Sequence, residues 1–165
     1  MAGRVVTRRD AREWGLQILF QLDANPIPAD ADLDTVFDEF WGCQLRQQLD
    51  AANVEITPET FTGAWRNKVG EKRIRKFTET LVRGVLEHRE AIDQLIVKYL
   101  DNWDLSRIGG AERNALRIGI YEIKFAAKPT PVAVAINEAV DVAKFFGVRD
   151  AGYFVNGVLD KIAKE

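Results

Sequence analysis

Four arginines lie within nine residues near the start of the chain, at Arg4, Arg8, Arg9 and Arg12, against only Asp10 and Glu13. Guanidinium groups bind phosphates bidentately and stack on unpaired bases. On an α-helix, Arg8, Arg9 and Arg12 fall within about a 100° sector, with Arg4 in an arm ahead of it. The positive end of the helix dipole adds to the same field. Together these features describe a compact polyanion site, for which RNA or DNA is the natural ligand. The plainer alternative is a solvated basic helix start, which the same dipole slightly disfavours. A second basic cluster, Arg66, Lys68, Lys72, Arg73, Arg75 and Lys76, contains one acid, Glu71. Such runs are commonly solvated faces, and an auxiliary nucleic-acid contact is the alternative.

Other chemistry is scarce. His88 is the only histidine and Cys43 the only cysteine. A structural zinc site needs four such ligands, so one chain cannot build it. A catalytic histidine would have to be His88, which sits in a charged stretch that reads as surface or helix end. Gly109-Gly110 lacks the Lys-Ser/Thr of a phosphate loop. No cofactor is expected. A lone cysteine forms no intrachain disulfide and fits a reducing, cytoplasmic setting. The 165 residues, 47% hydrophobic and 29% charged, suit a single domain over 1–165. Net charge is only −2, so any nucleic-acid site must be local. The longest apolar run, Val132 to Ile136, is far short of the roughly 20 residues of a membrane span, and the charged start does not read as a signal peptide.

The elements that position these residues read as helical nearly throughout. Thr7 and Asp10 predict a capping box for a first helix, with Ala11, Trp14, Ile18 and Leu22 as its core stripe. Leu16 and Phe20 lie beside that stripe, so either the core is wide or a second apolar surface adjoins the arginines. A second helix is expected from about Asp32 to Asp50. Residues 51–68 read as a loop, with a helical turn starting at Pro58. Further helices are expected over about 71–87, up to Leu100, and over 111–125, the last apolar on more than one side and therefore central. Thr130 and Pro131 predict the start of another helix, with Val132, Ile136, Ala139, Ala143 and Phe146 inward. Gly147 is its expected left-handed stop. Asp150 is expected to cap the last helix, with Phe154, Val155, Val158 and Ile162 inward. The fold class is all-α, about seven helices, with an N-terminal lobe at about 1–70 and a C-terminal lobe at about 71–165.

Four stretches taken together resemble the NusB family of bacterial transcription antitermination factors. They are Arg8 to Glu13 followed by Leu16 to Phe20, Ala111 to Glu122, Val134 to Gly147, and Phe154 to Lys161. Their order and spacing fit the family, and the last three cover the C-terminal third almost continuously. The segment from about 41 to 70 has no such match. The resemblance implies two small three-helix bundles around a shared core and no enzymatic activity. It implies binding of the boxA element of ribosomal-RNA transcripts together with the ribosomal protein NusE. It also implies loading, with other Nus factors, onto RNA polymerase. By position, it assigns Arg8, Arg9, Arg12 and, more loosely, Arg4 to RNA, with Tyr99, Lys144, Asp150 and Phe154. It assigns Phe20 and Glu112 to NusE. Phe stands where a phenol is common at position 20, and Asp10 interrupts the arginine run. Two rivals remain. One is a helical domain of an RNA cytosine methyltransferase, for whose methyl-donor domain the chain has no room. The other is a protein-interaction module with incidental arginines. Homodimerisation is left open.

Overall fold

The computed structural model describes residues 6–28, 30–60, 69–100 and 104–165. Arg4, Arg66 and Lys68 lie outside them. Among the described residues there is no strand, as the apolar spacing predicts. Among the described residues seven α-helices are bounded at both ends: α1 (Arg8–Ala24), α2 (Leu33–Ala51), α3 (Val69–Glu87), α4 (Arg89–Lys98), α5 (Gly110–Ile120), α6 (Val132–Phe146) and α7 (Ala151–Ala163). A short 3-10 turn covers Leu105–Arg107, and a π-helical turn, Tyr121–Phe125, extends α5. Residues 58–60 open one further helical turn at the expected proline.

Helix α1 starts at the predicted capping box. The Thr7 amide donates to Asp10 Oδ2 at 2.7 Å, and the Asp10 amide donates to Thr7 Oγ1 at 3.4 Å. Ala11, Leu16, Ile18, Leu19 and Leu22 are buried, so the core side of α1 is wide at Leu16. This surface packs on α3, α5 and α6. Helix α5 is central, with Ala115, Leu116, Ile118 and Ile120 buried between α1, α6 and α7. Helix α2 is capped by Asp32, which accepts from the Asp34 amide at 2.9 Å. It contributes Phe37, Phe40 and Trp41 to the core, and Trp14 of α1 meets Trp41 edge-on with ring centroids 5.3 Å apart.

Several helix ends differ from the sequence expectation. Thr130 does not cap α6; Pro131 holds that position, and the Thr130 hydroxyl donates to Glu122 Oε2 at 2.6 Å. A buried carboxylate is the stronger acceptor. Gly147 ends α6 with extended backbone rather than a left-handed turn. Glycine is required there on steric grounds: a Cβ would fall 2.5 Å from Glu112 Oε1 and 2.6 Å from the Ala143 carbonyl. Asp150 occupies the cap position of α7 with φ +68°, and its side chain makes no capping bond. Val132 and Phe154 are exposed rather than inward. Val132 lies in the first turn of α6. The inward stripe of α7 is Ala151, Val155, Val158 and Ile162, and Phe154 stands at its edge.

The inner polar structure centres on Asp23, near the end of α1. Its carboxylate accepts from Arg113 Nη2, Asn114 Nδ2 and Arg117 Nη1, each at 3.0 Å, and from Arg89 Nη2 at 3.2 Å. Arg117 is buried, and its Nε donates to Asp93 at 2.8 Å. One carboxylate thus fastens α1 to α4 and α5. Burial alone pushes the Asp23 carboxyl up. The Asn114 hydrogen bond and the Arg117 and Arg113 charges outweigh it and hold the carboxyl below its ordinary 3.8. A carboxyl lowered by folding adds stability above its ordinary value, and that stability is lost as pH falls through the folded value. Thermal melts from pH 6 downward should therefore show the wild-type Tm falling in the acid range. Asp23→Asn should lower Tm at pH 7 and flatten this fall. A 1 kcal/mol loss corresponds to about 2–4 °C at this chain length.

Candidate nucleic-acid interface

The arginines predicted to share one sector of α1 are sorted by the fold into three environments. Arg12 is 4% exposed. Its Nε and Nη2 donate to the two Glu122 oxygens at 2.7 and 2.8 Å. That pairing takes Arg12 away from the exposed phosphate-facing role that its sequence position suggested. Arg8 is exposed, its guanidinium lying 4.9 Å from the centre of the Phe77 ring on α3. Arg9 reaches the other way, to α6. Its Nε and Nη2 donate to Glu138 at 2.9 and 3.0 Å, and Nη2 also donates to Asp141 at 2.7 Å. The hydrogen bond to Glu138 raises Arg9 from its ordinary pKa, and the same bond lowers Glu138.

From Asp141 the surface continues one turn along α6 to Lys144, which is exposed. The aliphatic part of Lys144 lies over Gly152 of α7, where a Cβ would sit 2.7 Å from its Cγ. An open groove of about 500 Å³ runs between these helices, lined by Lys144, Val148, Arg149, Asp150, Tyr153 and Asn156, among others. Phe154, 37% exposed, belongs to the same first turn of α7. Lys144 and Asp150 thus line one open groove, with Arg9 held against α6 about one turn before Lys144, while Phe154 does not line it. Tyr99 lies away from it. It ends α4 and donates its phenol to Glu165 Oε2 at 2.7 Å, beyond the far end of α7. The 13 residues of α7 separate the two places by about 20 Å. The Glu165 hydrogen bond raises the Tyr99 phenol.

Phe20 and Glu112 are brought together at the start of α5. Phe20 is half exposed and lies so close to Gly110 that a Cβ there would be 2.6 Å from its ring. Beside it is an open groove of about 290 Å³ lined by Leu16, Gln17, Phe20, Gln21, Ala111 and Phe146. Leu16 is core and Phe20 is surface, so the core of α1 widens to Leu16 and stops short of Phe20. Glu112 is buried, and its Oε1 accepts from the Val148 amide at 3.1 Å. It ties the start of α5 to the turn between α6 and α7.

Sequence reasoning passed over Tyr153, which is 87% exposed beside Phe154. Its only signal was being out of step with the Val155–Val158–Ile162 stripe. His88 is a helix end, with Nδ1 3.0 Å from the Gly84 carbonyl and its ring 4.8 Å from that of Phe125. No cluster able to hold a metal occurs among the described residues, and no helix there is long and apolar enough to cross a membrane.

The model of the NusB family matches residues 9–164. The chain belongs to the NusB family. A transcription antitermination protein NusB from Trichlorobacter lovleyi is 47% identical over 155 residues, covering 94% of this chain and 89% of that one. The structure is similar to that of T. maritima NusB, with a TM-score of 0.70 and 32% identity, covering 98% of this chain and 94% of the other. It is also similar to a chain in a crystal structure of the antitermination factors NusB and NusE with double-stranded RNA. There the TM-score is 0.65 at 27% identity, with 95% and 96% of the two chains covered. The family is one of transcription antitermination factors, not of enzymes.

The three arginine environments differ in energetic weight. Removing one member of a buried pair leaves the other charge uncompensated, at a cost of about 3–5 kcal/mol. Exposed pairs contribute about 0–1 kcal/mol. Urea denaturation should therefore show Arg12→Ala destabilised by several times as much as Arg9→Ala, with Arg8→Ala close to wild type.

Proposed function

We propose that this protein acts in transcription antitermination by binding boxA-type RNA of ribosomal-RNA transcripts together with the ribosomal protein NusE. The pair then promotes processive transcription by RNA polymerase with other Nus factors, in the cytoplasm. Family membership across nearly the whole chain supports this reading. So does the solved complex of a similar NusB with NusE and RNA. The observation that carries it is the open groove between α6 and α7, which sets Lys144, Arg149, Asp150 and the exposed Tyr153 ring side by side.

In this reading Arg8, Arg9 and Lys144 hold phosphates. Phe154 offers a face to an unstacked base, a contact of about 1–3 kcal/mol per base. Asp150, free of a capping bond, accepts hydrogen bonds from a base edge and so adds sequence preference. Arg4 joins from the arm ahead of α1. Arg12 supports the site from beneath by fixing α1, and Tyr99 contributes only where the RNA extends past the far end of α7. Phe20 and the apolar groove beside it receive NusE, with Glu112 shaping that surface from below.

Fluorescence anisotropy with a boxA RNA and a scrambled one, with and without NusE, tests this. Sequence-preferring binding should tighten with NusE and weaken with salt, with log K against log salt sloping near −2 to −3 for about three or four phosphates. The double variant Arg8→Glu, Arg9→Glu should remove RNA binding and leave NusE binding largely intact. Equal loss of both would contradict this division of surfaces. Indifference to RNA sequence in every mixture would favour the protein-interaction module.

A further inference from the structure

We propose that the exposed side of α3 is a second phosphate-binding track, which takes the backbone of RNA extending beyond the segment held at α6 and α7. This rests on the RNA reading above. Take Lys72 as the origin and advance 100° per residue. Lys76 then lies at about 40°, Thr80 at about 80°, Arg73 at about 100° and Phe77 at about 140°. Lys72, Arg73 and Lys76 are exposed, and none forms an ion pair with another described residue. Phe77 closes the sector, and Arg8 of α1 lies 4.9 Å above its ring. The α3 cations therefore lead round the helix to the first arginine of the α1 site, with no gap between the two basic clusters that stand far apart in the sequence.

The absence of competing carboxylates sets this surface apart. Between residues 72 and 80 no acid falls in the sector. Glu79 lies just outside it and accepts from Trp41 Nε1 at 3.3 Å. By contrast, Arg9 is engaged by Glu138 and Asp141, and Arg113 and Arg117 by Asp23. A phosphate at Arg9 must compete with two carboxylates, whereas no carboxylate of another described residue is paired with Lys72, Arg73 or Lys76. Lys72 and Lys76 stand about 6 Å apart along the helix axis. The surface therefore suits a flexible phosphodiester backbone read by charge rather than a folded protein partner. It predicts affinity without sequence preference.

The test compares two single-stranded RNAs, boxA alone and boxA with an oligouridine extension at either end, by anisotropy at several salt concentrations. The variant is Lys72→Glu, Arg73→Glu, Lys76→Glu, with the corresponding Gln triple as a milder form. Wild type should bind the extended RNA more tightly. The Glu triple should lose about tenfold on the extended RNA and lower its salt slope by about 2, the amount for three single-strand phosphates. The Gln triple should show a smaller loss, and binding of boxA alone should stay within about twofold. Equal affinity of wild type for the two RNAs, or an equal loss on both in the Glu triple, overturns the track. So does a loss of NusE binding with RNA binding unchanged, which would assign α3 to a protein. Failure of wild type to prefer boxA over a scrambled RNA is a separate result. It is read without any α3 variant, and it removes the RNA reading together with the track.

Discussion

The placement of the α1 arginines depends on one buried ion pair, Arg12 with Glu122. Both side chains are at most 5% exposed, and the guanidinium engages both carboxylate oxygens. Thr130 satisfies the same carboxylate from the segment before α6, and Glu138 lies 3.8 Å from Arg12 Nη1. A single carboxylate therefore joins α1, the end of α5 and the approach to α6. An isolated charge here would cost several kcal/mol, so neither partner tolerates the absence of the other. Glu122 belongs to the π-helical turn. Tyr121 and Glu122 are both buried in that turn, as are the residues Asn114–Ile120 of α5 before it. With Arg12 pinned, Arg8 one turn earlier is left over Phe77, and Arg9 is turned toward α6.

This sorting explains how a chain of net charge −2 presents a basic surface at all. Cations that join helices are matched by carboxylates: Arg12 by Glu122, and Arg113 and Arg117 by Asp23. These pairs cancel locally and add little to the outer field. Among the described residues, positive charge remains at Arg8, on the exposed side of α3, and at Lys144 and Arg149 of the α6–α7 groove, with Arg9 partly neutralised by Glu138 and Asp141. Such a field reaches about 10 Å at 0.1 M salt. It acts at contact range and discriminates by position rather than drawing polyanions from a distance.

The helical pattern was legible in the sequence wherever 3-and-4 apolar spacing met a strong boundary residue. The capping box at Thr7 and Asp10, the breaks at Pro26 and Gly109-Gly110, and the central character of α5 follow from local chemistry alone. The failures share one cause. Thr130, Gly147 and Asp150 were assigned by their local preferences, and two of them answer instead to carboxylates distant in sequence, Glu122 and Glu112. Arg12 is the same case. Its spacing placed it beside Arg8, but a glutamate 110 residues away decided that it goes inside. Nor could periodicity reveal the Asp23 cluster, because Arg113 and Arg117 sit one turn apart on a helix whose apolar residues face several ways. The resemblance to a family supplied site assignments that periodicity could not, and the fold then separated them. Lys144 and Asp150 line one groove, Arg9 and Phe154 do not line it, and Tyr99 lies at the other end of α7, about 20 Å away.

The two surfaces assigned to RNA and to a protein partner are opposite sides of one short segment. Phe146 lines the groove beside Phe20. Gly147 follows it, packed against Glu112 with no room for a side chain. Val148 donates its amide to Glu112, and Asp150, two residues further, carries the positive φ that starts α7. Glu112 is buried and belongs to α5, which is held on several sides by the core. The turn is therefore fixed from within, with the apolar groove before it and the polar groove after it. This arrangement accounts for a buried carboxylate at a position that sequence resemblance assigns to a binding surface. Glu112 does not itself need to reach a partner, since it sets the backbone from which Phe146 and Asp150 are presented.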